Sequence, residues 1–252
     1  MYIRNAIIKE VCCGSLDDAI LAEEAGADRI ELNSCLQQGG LTPSLDTLIE
    51  AKKRLKIPVM VMVRPREAGF YYTENEIRVM ERDAALFLEH GADGIVFGFL
   101  NQDGTINTKM TRRMLKIIGT KQSVFHRAFD VVPDPITALN LLIELGVTRV
   151  LTSGQQPSVY DGIPLIRELI GRAAGRIQIL PGAGIQLENV REIIQKTGAD
   201  QIHFASSTIR MDTSASGNPQ IFFGGAYYPP EDRYKIADLD SMKKIIENAS
   251  PM

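Results

Sequence analysis

The sequence predicts a single-domain (β/α)8 barrel of the TIM class over residues 1–252, mainly because of an internal repeat. Four stretches each end a helical pattern on a glycine and then enter a short apolar strand. These glycines are Gly26, Gly91, Gly146 and Gly198, at separations of 65, 55 and 52 residues. Because one βαβ unit takes about 30 residues, each interval holds two strand–helix units. Strict alternation over the whole length favours a closed parallel barrel of eight strands.

A second set of strands lies between the repeated segments and completes the eight. An open, doubly wound sheet is the alternative architecture. The residues EVCCGS end the first strand, where a dinucleotide-binding sheet carries GxGxxG, and this difference weighs against that version. The strands of the second set are predicted at Ile7–Cys12, Pro58–Val63, Ser123–Phe125 and Ile177–Leu180.

Four helices carry clear start and stop signals. Ser15 is a candidate N-cap, and Thr73 with Glu76 three residues later makes a capping-box pattern. Each helix ends before one of the repeated glycines, as expected for a left-handed helix stop. After the eighth strand, residues 205–236 are predicted as a long irregular loop and residues 238–248 as the last helix. The four capped helices are predicted at Ser15–Ala25, Thr73–His90, Pro133–Leu145 and Leu187–Thr197.

Composition excludes several classes of partner. With 28 Lys and Arg against 31 Asp and Glu, the formal charge of −3 gives no bulk attraction to nucleic acid or anionic lipid. No apolar run approaches the roughly 20 residues of a membrane helix, and the first residues lack a cleavable signal pattern. Three cysteines, with Cys12 and Cys13 adjacent, cannot build a disulfide framework. We therefore expect a reduced, cytoplasmic protein without nucleic-acid or membrane partners.

The repeat also predicts which side chains face the inside of the barrel. Four and six residues after each glycine the sequence is almost entirely apolar, so that face packs under the helices. The alternate positions then point inward, because a strand has a two-residue period. Active sites of such barrels lie at the C-terminal ends of the strands. The candidate catalytic residues at that end are Glu10, Glu31, Arg64, His126 and His203.

The turns after strands seven and eight predict an anion site. LPGAGI ends strand seven and HFASST ends strand eight, and in TIM barrels these two loops often hold a phosphate with backbone N–H groups. A plain tight turn built from glycine is the alternative. Arg64 and Arg66 would add charge-assisted hydrogen bonds across the mouth, and a helix beginning near Leu187 would add its positive end. The candidate ligand-binding residues are Asn33, Arg66, Ser153, Gly182, Ala183, Gly184, Ser206 and Ser207.

Two sulfur-containing side chains are predicted to face the inside of the barrel. Cys12 and Met62 are soft ligands of the kind that suits Cu(I). Packing is the alternative role, since cysteine is often buried and methionine fills cores. The sequence has no CxxC pattern and no Cys/His pair at ligand spacing. Cys35 follows the second strand in the loop NSCLQQGGLTPS, close to the mouth.

Several longer motifs carry a resemblance to a known family. The stretches EVCCGSLDDAILAEEAGADRIEL, QGGLTPS, PVMVMVRPR, FHRAFD, RVLTSGQ and PGAGI make the chain similar to the copper homeostasis protein CutC family over nearly its whole length. The resemblance implies a cytoplasmic TIM-type barrel, a homo-oligomer (dimer or tetramer), a link to copper tolerance and binding of Cu(I).

The chain departs from the family pattern at the cysteines to which copper binding is attributed. Cys12 matches the cysteine at the end of strand one, whereas Asn33 stands where the family has its second cysteine. Asparagine is a poor Cu(I) ligand. Cys35, two residues further on, is the candidate replacement, so the metal residues implied here are Cys12 and Cys35. The family's PGGGI is PGAGI in this chain, with Ala183 at the central position.

Three functions are compatible with these residues. The first is Cu(I) handling by Cys12 with Cys35. The second is an enzyme of lyase, isomerase or hydrolase type that acts on a small phosphorylated or otherwise anionic metabolite, with the glutamates and histidines moving protons. The third is a scaffold whose polar interior only pairs Glu10 and Glu31 with arginines. The resemblance favours the first function, and the chemistry of the predicted mouth favours the second.

Overall fold

The computed structural model describes residues 6–218, 220–224 and 230–250. Eight parallel strands form one sheet in the order β7-β6-β5-β4-β3-β2-β1-β8, which curves into a nearly closed barrel. The predicted TIM-type barrel is therefore confirmed, and the open sheet is not formed. The strands are β1 Ile8–Cys13, β2 Arg29–Leu32, β3 Val59–Met62, β4 Gly94–Phe97, β5 Gln122–Phe125, β6 Arg149–Thr152, β7 Gln178–Pro181 and β8 Gln201–Phe204.

Helices follow the strands, and their starts are set by the capping signals in the sequence. The Ser15 side chain accepts a hydrogen bond from the Asp18 N–H, and Thr73 with Glu76 forms a complete capping box. None of the helices among residues 6–218, 220–224 and 230–250 is long and apolar enough to cross a bilayer. The helices are α1 Leu16–Glu24, α2 Leu45–Arg54, α3 Glu74–Glu89, α4 Thr108–Ile118, α5 Pro135–Leu145, α6 Ile163–Ala173, α7 Val190–Thr197 and α8 Leu239–Ala249.

Two predicted helix starts are wrong. The start of α5 lies at Pro135 rather than Pro133, because the Asp134 side chain accepts hydrogen bonds from the first free N–H groups of the helix. The start of α7 lies at Val190 rather than Leu187, since residues 187–189 form a turn. The positive end of α7 is thus one turn further from the loop after β7 than the sequence predicted.

The segment after β8 is not wholly irregular, and this corrects the prediction for residues 205–236. Strands β9 (Ser207–Met211) and β10 (Arg233–Ala237) form an antiparallel hairpin. All five side chains of β9 are exposed. Because neither face of the strand is buried, burial imposes no alternation of apolar and polar residues by which the strand could be recognised. Residues 219 and 225–229 of the predicted loop lie outside the described residues. The Asp238 side chain caps α8.

The barrel has an outer and an inner set of buried side chains. Ile30 and Ile95 are fully buried under the helices, as the repeat predicted. In the strand register, Glu10 of β1 lies beside Arg29 of β2 on one side and beside His203 of β8 on the other. The side chains of these three residues therefore share the interior of the barrel. The inward parity is thereby confirmed. The apolar part of the interior is one cluster of Met60, Met62, Val96, Val124, Leu151 and Leu180.

Candidate functional site

A cavity of about 570 Å³ lies at the C-terminal end of the barrel strands, where active sites of this fold occur. Residues at or just beyond the ends of β1, β2, β3, β5 and β8 form its floor, and loop residues form its walls. The lining residues that the sequence predicted for the site are Cys12, Glu31, Asn33, Arg64, His126, Ala183, Gly184 and His203.

Glu10 lies one layer below the cavity and holds His203. Its Oε1 accepts a hydrogen bond from His203 Nδ1 at 2.8 Å, and its Oε2 forms an ion pair with Arg29. Burial by itself would raise the pKa of Glu10, but the Arg29 charge and the His203 hydrogen bond hold it far below its usual range. Arg149 Nη1 lies 3.9 Å from the same Oε2. Glu10 is therefore a buried carboxylate that orients His203, and it does not itself line the cavity.

Glu31 lies on the cavity floor among three polar side chains. Its Oε2 accepts a hydrogen bond from Asn33 Nδ2 at 2.9 Å, lies 3.7 Å from Cys12 Sγ and lies 3.9 Å from His203 Nε2. Its Oε1 is buried and has no hydrogen-bond partner in the described part of the chain. Burial raises the pKa of Glu31, against the opposing effect of His203.

The pKa values of His203 and Cys12, which lie beside Glu31, are both raised. Burial would lower the pKa of His203, but the Glu31 charge and the contacts with Cys12 and Glu10 raise it well above its usual value. Burial also raises the pKa of Cys12 to about 12, so this group is a neutral thiol near pH 7. One ligand atom each from Cys12, Glu31 and His203 lies within 4.8 Å of the other two.

His126 is held in one tautomer. Its Nδ1 accepts a hydrogen bond from the Ala128 N–H at 3.1 Å, so in the neutral ring the proton is on Nε2. That Nε2 is buried and, over the described residues, has no partner. Burial, and then the Arg64 charge, lower the pKa of His126 to about 3. A Cβ at position 98 would lie 2.5 Å from His126 Cε1, which explains why this neighbour is Gly98.

The two arginines predicted to hold an anion are engaged elsewhere. Arg64 lines the cavity, but its Nη atoms donate to the carbonyls of Gln38, Gly40 and Ala68 at 2.9–3.0 Å, leaving its buried Nε unpartnered in the described residues. Arg66 lies outside the cavity, with Nε 2.6 Å from Glu76 Oε1 and its Nη atoms on loop carbonyls. The structure therefore contradicts the placement of Arg66 at the mouth, because Glu76 and the 67–71 backbone accept hydrogen bonds from each of its three guanidinium nitrogens.

Ser153 is also occupied by the protein. Its backbone N–H and its hydroxyl both donate to Asp130, and its oxygen accepts from Arg127 Nη2 at 3.1 Å. Ser153 is fully buried beside the cavity wall, which Arg127 and Asp130 help to form. The prediction that Ser153 binds a ligand is not supported, since its hydroxyl already has partners. Asp130, which that prediction missed, is the last residue of FHRAFD.

The predicted anion loop is only partly available. The Gly182 N–H donates to the Thr152 carbonyl at 3.0 Å, so it cannot bind a ligand. Ala183 and Gly184 line the cavity, both with left-handed backbone at φ values of 80° and 86°. Among the described residues, no acceptor is found for the N–H groups of Ala183, Gly184 and Ile185. These three backbone groups are the part of the predicted anion site that remains.

Ser206 and Ser207 do not line the mouth cavity. They line a second cavity, of about 600 Å³, between residues 185–188 of the loop after β7, the end of β8 and α8. Glu188, Asp238 and Asp240 line the same space, with Lys244 as its one lining cation. An acidic surround disfavours an anion, and anion binding by these serines stays a prediction.

Cys35 differs from Cys12 in its surroundings. It is exposed, has a φ of 47° and precedes a 3-10 turn at Leu36–Gln38, and it is not among the residues that line the cavity. Asn33, at the position of the family's second cysteine, directs Nδ2 at Cys12 Sγ over 3.5 Å. An amide N–H donates rather than ligates. The two-thiol site implied by the resemblance stays a prediction, with Cys12 in the cavity lining and Cys35 outside it.

Together the fold and the cavity define a TIM-barrel protein with a polar, ligand-sized site at the C-terminal mouth. The model of the CutC family matches residues 7–208, and the chain belongs to the CutC family. A CutC family protein of Treponema denticola is 56% identical over 239 residues, which cover 95% of this chain and 97% of that relative. A human relative named a copper homeostasis protein cutC homolog is 41% identical, over 96% of this chain and 88% of its own.

Solved structures agree with the fold. A CutC structure from Streptococcus agalactiae superposes with a TM-score of 0.76 at 36% identity, covering 79% of this chain and 98% of that one. A structure named QR15, an aldolase, has a TM-score of 0.59 at 19% identity, with coverage of 81% and 91%. At that identity the likeness to the aldolase shows the barrel fold alone.

Proposed function

We propose that this protein is an enzyme that binds a small anionic metabolite in the mouth cavity and moves a proton on it. One observation carries the proposal: Glu31 and His126 line the same cavity, and each holds a buried polar atom without a partner in the described chain. Leaving such atoms unpaired costs free energy of about 1–3 kcal/mol each. A bound ligand that hydrogen-bonds to both would remove this cost.

The charges inside the barrel support an anionic ligand. Arg64 lines the cavity as a buried cation, and its Nε has no partner among the described residues. The free N–H groups of Ala183, Gly184 and Ile185 add donors at the cavity wall. Successive N–H groups of this kind bind carboxylate or phosphate oxygens. The buried charged side chains inside the barrel are Glu10, Arg29, Glu31, Arg64, Arg149 and His203.

The available groups suit proton transfer next to a carbonyl. In this reaction, Glu31 takes a proton from the carbon beside the carbonyl, and the electron pair of the C–H bond moves to form an enolate. The His126 Nε2–H donates to the enolate oxygen, as a neutral imidazole can. When the first carbon carries a hydroxyl group, transfer of its proton to the enolate oxygen and return of the abstracted proton to the former carbonyl carbon give the isomer. When a leaving group is attached to the carbon next to the enolate, its departure with the electron pair of its bond gives a lyase product. Hydrolase chemistry has less support, since it needs an activated water.

Solvent isotope exchange tests this function directly. The protein is incubated in D2O with a panel of phosphorylated and carboxylated hydroxy-ketones and hydroxy-aldehydes, and deuterium uptake by each compound is measured by mass spectrometry. We expect uptake with at least one compound, and its loss in Glu31→Gln. Glu144→Gln, at an exposed position of α5, is the matched control and should exchange like the wild type. If no compound exchanges and none raises the Tm at millimolar concentration, the proposal fails.

Copper handling, which the names of the relatives carry, has weaker support in this chain. Cys12 is the single thiol that lines the cavity in the described residues, and Cys35 is exposed. Cu(I) favours two or three soft ligands, and one thiol supplies one of them. Met62 lines the same cavity and is the remaining soft side chain there.

Two further features of the proposal concern location and assembly. All three cysteines are free, and an exposed thiol such as Cys35 is compatible with the reducing cytoplasm.

In the β9–β10 hairpin, Ile209 and Met211 are each 58% exposed, an apolar surface that supports self-association into a homo-oligomer. Light scattering after size-exclusion chromatography tests the second point: Met211→Asp should lower the measured mass, and a monomeric wild type would contradict it.

A further inference from the structure

We infer that Cys12, Glu31 and His203 form a binding site for a divalent transition-metal ion of the Zn²⁺ type, rather than for Cu(I). The three side chains come from three adjacent strands, β2, β1 and β8, and meet on the floor of the mouth cavity. One ligand atom from each lies within 4.8 Å of the other two. A thiol, an imidazole and a carboxylate are the three ligand types that Zn²⁺ accepts in proteins.

The spacing of the ligand atoms fits a tetrahedral ion. With usual Zn²⁺ bond lengths of about 2.0–2.3 Å, tetrahedral ligand atoms lie about 3.3–3.8 Å apart. In the structure, Cys12 Sγ lies 3.7 Å from Glu31 Oε2, and His203 Nε2 lies 3.9 Å from the same oxygen. All three ligand atoms lie within 4.8 Å of one another, so binding would draw the side chains together around the ion.

The groups behind the ligands are those that metal sites use to orient them. A metal-binding histidine commonly donates its other ring N–H to a carboxylate, and here His203 Nδ1 is 2.8 Å from Glu10 Oε1. This contact leaves Nε2 directed toward Cys12 and Glu31. The Glu31 carboxylate is itself held by Asn33 Nδ2 at 2.9 Å, and its Oε1 is buried without a partner in the described residues. Glu10 and Asn33 are thus positioning residues for the proposed ion.

The same ligand set disfavours Cu(I). A carboxylate is a hard ligand that suits divalent ions, whereas Cu(I) selects thiolates and thioethers. Asn33 presents an N–H to Cys12 Sγ, so it supplies no lone pair to a metal at that point. The side chains present therefore fit a borderline divalent ion rather than a soft monovalent one.

This inference does not rest on the proposed function, although both use Glu31. The carboxylate cannot bind an ion and accept a substrate proton at once, so a bound ion is expected to stop the deuterium exchange. Metal binding is measured on the protein alone, and exchange is measured with chelator present. Each proposal therefore fails or succeeds without the other.

Cobalt substitution tests the site by spectroscopy. Reduced, metal-free protein is titrated with Co²⁺, and we expect one equivalent to give the intense visible bands of tetrahedral Co²⁺ together with a thiolate charge-transfer band in the near ultraviolet. Zn²⁺ should displace it. Weak octahedral bands without charge transfer, or no spectral change in excess Co²⁺, would overturn the inference, and this outcome is decided on the wild type.

Variants then assign the ligands. Cys12→Ser should abolish the charge-transfer band, whereas Cys35→Ser, which removes the exposed thiol, should leave the spectrum unchanged. Asn33→Ala should weaken Zn²⁺ affinity about 10–100-fold while the Co²⁺ spectrum keeps its tetrahedral form, because an orienting group is lost and the ligands remain. A charge-transfer band that survives Cys12→Ser would show that the ion binds elsewhere.

Discussion

Asp130 accepts hydrogen bonds from both the backbone N–H and the hydroxyl of Ser153, at 3.0 and 2.9 Å. The two residues belong to the two most distinctive motifs of the chain, FHRAFD and RVLTSGQ, which follow β5 and β6. The same carboxylate also accepts from Thr152 Oγ1, with Oδ1 2.5 Å away, and from Arg127 Nε. The motifs are therefore joined through one buried carboxylate, which fixes the wall of the mouth cavity between neighbouring strands.

Asp130→Asn should destabilise the fold. The amide cannot accept all the hydrogen bonds that the carboxylate does, and hydrogen bonds to a charged group are worth about 1.5–3 kcal/mol. We expect the free energy of unfolding, measured in urea, to fall by about 2–3 kcal/mol. The control is Asp161→Asn, since Asp161 is exposed, and its effect should stay within about 0.5 kcal/mol. Equal stability of the two variants would show that Asp130 does not join the motifs energetically.

His126 should make stability depend on pH below neutrality. Burial, and then Arg64, lower its pKa from 6.5 to about 3, so the folded state excludes a proton that the unfolded state binds. The free energy of unfolding should therefore fall as the pH drops from about 6.5 toward 3, by up to about 1.4 kcal/mol per pH unit. His126→Gln removes this contribution, and its stability curve should be flatter than that of the wild type over this range. Parallel curves would contradict the assignment.

Arg64 and Arg66 should respond differently to truncation, although they are two residues apart. Arg66→Ala removes the contact with Glu76 and the 67–71 backbone, outside the cavity, so anion affinity should be unchanged while the Tm falls. Arg64→Ala removes a cation that lines the cavity and should weaken the same anion at least tenfold. Calorimetric titration with a ligand found by isotope exchange compares them. Loss of affinity in both variants would mean that the loop, rather than the charge, holds the anion.

Cu(I) binding should be weak and should depend on Cys12 alone. A single thiolate leaves Cu(I) short of soft ligands, and the exposed Cys35 does not line the cavity with Cys12. Anaerobic competition with a Cu(I) chelator measures the affinity. Cys12→Ser should remove the binding, and Cys35→Ser should not change it. Tight stoichiometric binding that persists in Cys12→Ser would refute this expectation.

Local sequence patterns were sufficient to predict the barrel fold and to predict which side chains face much of its interior. The glycine repeat and the two-residue strand period predicted that Glu31 and His203 face inward, and the register confirms this. The capping signals at Ser15 and Thr73 gave correct helix starts. The β9–β10 hairpin was missed because its exposed strands bury no face, so the usual alternation of apolar and polar residues does not develop.

The sequence by itself determined the strand positions and which strand side chains face inward, since both depend on residues close together in the chain. Only the tertiary structure decided which of these side chains remain available to a ligand. Glu31 Oε1, His126 Nε2 and Arg64 Nε have no partner among the described residues. The Nη atoms of Arg64 are bound by loop carbonyls and Ser153 is bound by Asp130. Those partners come from other strands and loops, with no fixed spacing in the sequence, so their positions follow from the closure of the barrel.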